Sequence, residues 1–240
     1  MALEHLHTRA AIHDRLAAEN KPNYLRDWVY GGIDGAITTF AIVAGVVGAG
    51  LSIKVIVVLG LANLIADGFS MAASNYSGTK TEVDELERFR QIEQKHIDQN
   101  PEGEREEIRQ IYAAKGLNGQ ALEDTVSAIT SNPKVWINTM LAEEYGLAIH
   151  LRAPLMSGFS TFLAFLIFGS IPLLPYFLGL EKPFETALIS TVIAFFLIGA
   201  IKSKWSLASW WRSGAETLAI GVVASATAYY IGYFVSDFVG

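Results

Sequence analysis

The sequence predicts an all-α membrane protein, five transmembrane helices with a three-helix insertion between the second and third, and three observations carry that prediction. The chain is 51% hydrophobic and only 18% charged over 240 residues, with a mean hydropathy of +0.32, more apolar than an ordinary soluble domain. The charges are also segregated. Apolar runs long enough to span a bilayer lie at Trp28–Leu51, Ile53–Ser77, Leu155–Leu180, Phe184–Ile201 and Gly214–Val239, whereas 79–152 is densely charged. Finally, no proline falls between Lys54 and Asn100, so the helical pattern of the second run continues into water as a rod of roughly 70 Å, at about 1.5 Å per residue. The expected domains are an N-terminal segment 1–27, spans one and two in 28–77, the insertion 78–152, and spans three to five in 153–240.

Composition removes several classes of function. The absence of cysteine excludes disulfides, iron–sulfur clusters and thiolate metal sites. A net charge of −6 without a basic patch speaks against nucleic acid. The first 27 residues hold no signal-peptide core, so the first span must direct insertion itself. Sixteen Lys and Arg fall before span one, in the insertion, or between spans four and five, against only Lys54 and Lys182 on the other side. That bias puts the N-terminus and 78–152 in the cytoplasm and Gly240 outside, with the cell's inner membrane as the expected location.

In chain order, Leu3–Asn20 reads as an amphipathic helix on the inner leaflet, with His5, Arg9 and His13 four apart and Lys21-Pro22 ending it. Metal binding by His5, His7 or His13 is the lesser reading. Span one carries Gly31 and Gly35, a pair of small residues that lets another helix approach closely, within the protomer or across a dimer. Asp34 lies about 9 Å inside this span at about 1.5 Å per residue, where an unpaired carboxylate costs roughly 2.5–3.5 kcal/mol. Such a residue needs a partner or a function. Thr38, one turn on, offers a further oxygen.

Span two places Asn63, Asp67, Ser70, Met71, Ser74 and Asn75 along one helical face. Running back inward, it brings Asp67 to a depth within a turn or two of Asp34. Two acids that meet in a low dielectric hold a proton between them, and a divalent cation displaces it. Met71 adds a thioether, a soft donor suited to late first-row metals, although a buried methionine is often only filler.

The insertion reads as an extension of span two followed by three short helices, punctuated by Asn100-Pro101, Gly116–Gly119 and Ser131-Asn-Pro133. Three spacings each put two donors on one helical face: Glu93 with His96, Glu104 with Glu107, and Met140 with Glu144. Any one pair is ordinarily a solvated acidic face; three on separate helices suit a shared metal site. Glu102, Glu106 and Glu143 are auxiliary candidates. After Pro154 the chain re-enters the membrane. Pro172 and Pro175 end span three, the Phe-rich spans three and four read as scaffold, and Glu216 in span five is expected to pair with Lys202 or Arg212.

The runs Tyr30-Gly-Gly-Ile-Asp34-Gly, Thr38-Thr-Phe-Ala-Ile-Val-Ala-Gly45 and Ala66-Asp67-Gly-Phe-Ser70-Met71-Ala, followed by a charged insert and by Pro172-Leu-Leu-Pro175-Tyr, resemble the vacuolar iron transporter family. The resemblance covers nearly the whole chain. It implies a homodimer of five-helix protomers that exports Fe²⁺, often also Mn²⁺, from the cytosol in exchange for protons, with no prosthetic group and no enzymatic activity. It further implies that the positions of Asp34 and Met71 line the path, with Asp67, Asn63 and Thr38 as candidate neighbours. The family's cytoplasmic metal-binding domain has ligands at positions matching Glu93, Glu104, Glu107, Met140 and Glu144, and commonly a glutamate where this chain has His96, which adds a pH-sensitive nitrogen donor. A further departure is Ser74-Asn75-Tyr76, where many members show Gly-Glu-Tyr and so one more carboxylate. The competing readings are a membrane-anchored di-iron oxidase of ferritin type, which normally needs two Glu-x-x-His motifs where this chain has one, and a metal sensor.

Overall fold

The computed structural model describes residues 6–18 and 22–239, and all the elements found there are helical. They are α1 (Arg9–Ala17), α2 (Leu25–Gly48), α3 (Ile53–Gln99), α4 (Pro101–Ala114), α5 (Gly119–Thr130), α6 (Pro133–Glu143), α7 (Pro154–Ser170), α8 (Leu174–Phe177), α9 (Pro183–Lys202) and α10 (Trp210–Val239), with a 3₁₀ turn at Ser203–Trp205. The described residues divide into two compact units: 24–81 with 152–239, and 82–151 with the described residues before Tyr24. Helix α3 contributes residues to both. Without a proline to remove an amide donor it runs unbroken for 47 residues.

Among the described residues, four helices are long and apolar enough to cross a membrane: α2, α3, α9 with its 3₁₀ extension, and α10 as far as Ser236. A fifth apolar helix, α7, has 17 residues. The run read as a span over Leu155–Leu180 is therefore broken, because Pro172 can neither donate to the helical ladder nor avoid the preceding turn. The chain turns at Ile171–Leu173 and resumes as the four-residue α8. Helix α2 ends in a Schellman motif: Gly50 takes the left-handed conformation (φ +65°), Gly50 N donates to Val47 O at 3.0 Å, and Leu51 N to Val46 O at 3.0 Å. That satisfies the last carbonyls of α2 and starts α3 two residues later.

Close backbone approach holds this unit together, as expected where lipid tails are as apolar as the side chains. A Cβ at Gly31 would lie 2.2 Å from Thr161 O, and one at Gly35 would lie 2.5 Å from Phe165 O, so the small-residue pair serves α7 of the same chain. On another side of α2, a Cβ at Gly48 would meet Tyr229 O at 2.4 Å, and one at Gly232 would meet Gly45 O at 2.1 Å. Phe40, Val43, Ile56, Leu173 and Ala187 fill the core between the glycine contacts.

The charged unit is organised around two apolar clusters, Ile108 with Leu122, Val126, Trp136 and Met140, and Leu86 with Ile137 and Leu141. Its helices start where the caps predict. Asn100 Oδ1 accepts from Gly103 N at 3.3 Å ahead of Pro101, and Asn132 Oδ1 accepts from Lys134 N at 3.0 Å ahead of Pro133. Within the expected Leu3–Asn20 helix, α1 covers Arg9–Ala17, and none of its residues is buried. His5 and both ends of the expected Leu3–Asn20 helix lie outside the described residues.

Candidate metal centre and the polar stripe of the apolar helices

In the charged unit, Glu93 and His96 sit three apart on α3 and so share a face. Asn100 alone separates α3 from α4, which brings the first turn of α4, with Glu104, back beside them. His96 Nδ1 lies 3.3 Å from Glu104 Oε1 and 3.8 Å from Glu93 Oε1. One donor atom from each of the three residues falls within 4.8 Å of the other two. The Glu93 side chain has no exposed surface and Glu104 is 4% exposed, whereas the His96 side chain is half exposed. The site is thus two buried carboxylates closed on one side by an imidazole that reaches water.

Neither carboxylate is fully satisfied. Tyr145 Oη donates to Glu93 Oε1 at 2.9 Å, but Glu93 Oε2 and Glu104 Oε2 are buried without a hydrogen-bond partner. Buried acceptors of this kind call for a proton or a cation. Burial first, then the negative charges of Glu93, Glu107 and Glu144, push the Glu104 carboxyl up to about 8. Loss of water followed by the charges of Glu93 and Glu107 raises Glu144, while the Tyr145 hydroxyl and His96 act the other way. Glu107 and Glu144 are themselves exposed, and they reach the centre through their charge. Met140 is fully buried in the cluster of Ile108 and Trp136. Among the auxiliary candidates, Glu102 pairs with Arg105, Glu106 with Arg109 and Glu143 with Lys115, and these pairs use them at the surface.

In the apolar unit, Asp34, Asp67, Asn63 and Met71 are all half-buried, and Asp34 feels the charge of Asp67. The Thr38 hydroxyl is already engaged. It donates to Asp34 O at 2.9 Å, one turn back, and accepts from Asn63 Nδ2 at 3.3 Å, tying α2 to α3. Asn75, where the sequence departs from its resemblance, acts as a junction. Its Nδ2 lies 2.8 Å from Asp27 Oδ1, 2.7 Å from Thr161 Oγ1 and 3.3 Å from Ser157 O, so one side chain joins α2, α3 and α7. Glu216 pairs with Lys202 at 3.4 Å, as its position predicts, and stays exposed.

Three residues of these arrangements escape sequence reasoning. Asp27 is fully buried, its Oδ1 bonded to Arg152 as well as to Asn75 and its Oδ2 without a partner. The signal was a carboxylate at one edge of an apolar run with an arginine at the edge of another, which reads equally well as two solvated ends. Tyr145 carried no signal beyond standing next to Glu144.

A family profile described as the VIT family matches residues 25–233. Among curated proteins, the chain is 33% identical over 208 residues to vacuolar iron transporter 2 of Oryza sativa subsp. japonica, covering 85% of each chain. It is 34% identical over 209 residues to vacuolar iron transporter 1 of Arabidopsis thaliana, covering 85% of this chain and 83% of that one. With the vacuolar iron transporter of Toxoplasma gondii it shares 31% over 256 residues, 97% of this chain and 85% of the other.

Proposed function

The chain belongs to the VIT family, and on that premise we propose that it is a proton-coupled antiporter exporting Fe²⁺, and also Mn²⁺, from the cytosol. Its relatives are named as transporters, and it is a membrane transporter of metal ions rather than an enzyme. Five spans, including the short α7, and a cytoplasmic unit at 78–152 complete this reading, supported by sixteen of eighteen Lys and Arg on one side. We include a homodimer in the proposal. The relatives' names are vacuolar and the positive-inside argument fits the cell membrane equally. In both, the direction is out of the cytosol.

The observation that carries the reading is the pair of buried, unpartnered oxygens Glu93 Oε2 and Glu104 Oε2 beside His96. A divalent cation satisfies both at once and displaces the proton they retain without it. Glu107 and Glu144 add charge at the rim, where it concentrates cations, and Met140 supplies a soft donor from the adjoining core. In the apolar unit, Asp34 and Met71 carry the ion, Asp67 and Asn63 flank it, and Thr38 holds α2 to α3 at that level. Uptake of the cation by Asp34 and Asp67 frees a proton for the opposite direction. Imidazole with carboxylates suits Fe²⁺ and Mn²⁺, and the thioether of Met71 favours the softer Fe²⁺.

The test is Fe²⁺ entry into proteoliposomes with an acidic lumen, read by a metal dye and a lumenal pH dye, with Asp34→Ala as control. Metal entry coupled to proton exit, both lost in the variant, is expected. Fe²⁺ oxidised or retained outside with no flux in either protein would sink the transport reading in favour of a ferritin-type oxidase or a sensor.

A further inference from the structure

The charged unit has a second, chemically opposite recess. Across 82–151 it carries 14 acidic residues against 7 Lys and Arg, yet a cleft of about 570 Å³ is lined without a single carboxylate. Arg90 and Gln94, four apart and therefore on one face of α3, stand on one wall, and Lys134 and Asn138, four apart on α6, on another. Each wall thus presents a cation followed by an amide one turn later. His150 adds an imidazole N–H, and Ile137 provides apolar floor.

Among the described residues, Lys134 and His150 have no acidic partner, and Arg90 has only Glu87, at a long 3.5 Å with both side chains solvated. Gln94 spends its amide N–H on Asp98 at 2.9 Å, leaving its carbonyl as an acceptor for a ligand hydroxyl. The first amides of α6 are already taken by the Asn132 cap, so an anion here is held by side chains and not by the helix terminus. Lys134 and the loosely held Arg90, set together in a recess of an otherwise acidic surface, recruit the one class of ligand that surface repels. The size falls within the roughly 300–1,000 Å³ of small-molecule sites, more than a lone oxyanion fills. Two cations with flanking amides match a phosphate ester, its anionic oxygens to Arg90 and Lys134 and its hydroxyls to the amides.

We propose that this cleft binds a phosphate monoester. Two sources offer that chemistry. His150 precedes the first residue of α7 by four positions, a tether of at most about 14 Å, so an anionic lipid headgroup at the membrane surface is within reach; that source rests on reading α7 as a span. A soluble phosphate monoester needs no such reading. The site is separate from metal transport, and its failure leaves the antiporter reading intact.

The test uses the full-length protein. In phosphatidylcholine nanodiscs, glycerol phosphate is titrated calorimetrically; in detergent micelles, adducts of phosphatidic acid and phosphatidylcholine are counted by native mass spectrometry. Both are repeated on Arg90→Gln/Lys134→Gln, on Asn138→Asp, which places a carboxylate in the cleft, and on Lys95→Gln, a cation outside it. The double variant is expected to bind about a hundredfold more weakly, at roughly tenfold per charge-assisted contact. Asn138→Asp is expected to weaken binding as well, and Lys95→Gln to leave it unchanged. Loss of glycerol phosphate binding in the cleft variants identifies a soluble ligand, and selective loss of phosphatidic acid adducts identifies a lipid headgroup. Absence of both ligands from the unaltered protein, or binding that survives both cleft variants, overturns the proposal.

Discussion

Replacing Arg152 by methionine isolates the buried pair with Asp27. The Asp27 side chain has no exposed surface, and its Oδ1 is shared between Arg152 and Asn75 while Oδ2 has no partner. Arg152→Met therefore leaves a buried carboxylate with one neutral amide donor. Breaking a buried pair from one side costs about 3–5 kcal/mol, because the remaining charge is uncompensated. For a chain of this size, roughly 2–4 °C is lost per kcal/mol, so the thermal midpoint should fall by about 6–20 °C. Arg152 is 16% exposed and can carry its head to water, so Asp27→Asn is expected to cost less. The double variant Asp27→Asn/Arg152→Met removes both charges and keeps an acceptor for Asn75, and should recover most of the loss. Fluorescence-monitored unfolding in detergent measures all four proteins. An unchanged midpoint in Arg152→Met, or a double variant no more stable than the single one, would refute the argument that an uncompensated charge is the cause.

Other predictions concern the metal centre and the packing. Glu104→Gln should lower Mn²⁺ affinity at least about tenfold, read by calorimetry, because it removes one of the two buried carboxyl groups of the proposed metal centre. The folded-state value of Glu104, up to about 8 against 4.5 in the unfolded chain, means the folded protein binds more protons between those limits, so metal-free stability should fall as pH rises from 4.5 to about 8. In Glu104→Gln that slope should flatten, which a pH series of unfolding midpoints checks. Mn²⁺ binding to the unaltered protein should release a proton below about pH 8 and progressively less above it, read with a weakly buffered dye. Gly35→Ala should abolish the yield of monodisperse protein, since its Cβ would lie 2.5 Å from Phe165 O and 2.9 Å from Phe165 Cα, both backbone. Glu216→Gln should leave the midpoint unchanged, the pair with Lys202 being exposed and about 0–1 kcal/mol in value.

The elements that follow from a local rule were legible in the sequence. Absence of proline made α3 one helix, the Asn-Pro pairs began α4 and α6, and the i,i+3 spacing of Glu93 and His96 brought them to one face. What the sequence could not carry depends on pairing between distant segments. Asp27 with Arg152 is a contact across 125 positions, and nothing near either residue distinguishes it from a solvated charge. Tyr145 reaches Glu93 across 52 positions. The role of Asn75 was hidden for the same reason: as a missing carboxylate it reads as a lost ligand, whereas in the fold its amide is the donor that three helices share.

The glycine contacts of α2 bear on how the molecule is made. Gly31 and Gly35 await α7, and Gly45 and Gly48 await α10, so α2 leaves the ribosome well before either of the helices it packs against. At roughly 5–20 residues per second, α2 waits about ten to forty seconds for α10. For about the first half of that wait Arg152 is still unsynthesised, so the Asp27 carboxylate faces the bilayer or the insertion machinery without its cation. Biogenesis, more than the finished fold, is thus the stage at which α2 is vulnerable, and substitutions on its two glycine sides should show first as degradation of the nascent chain.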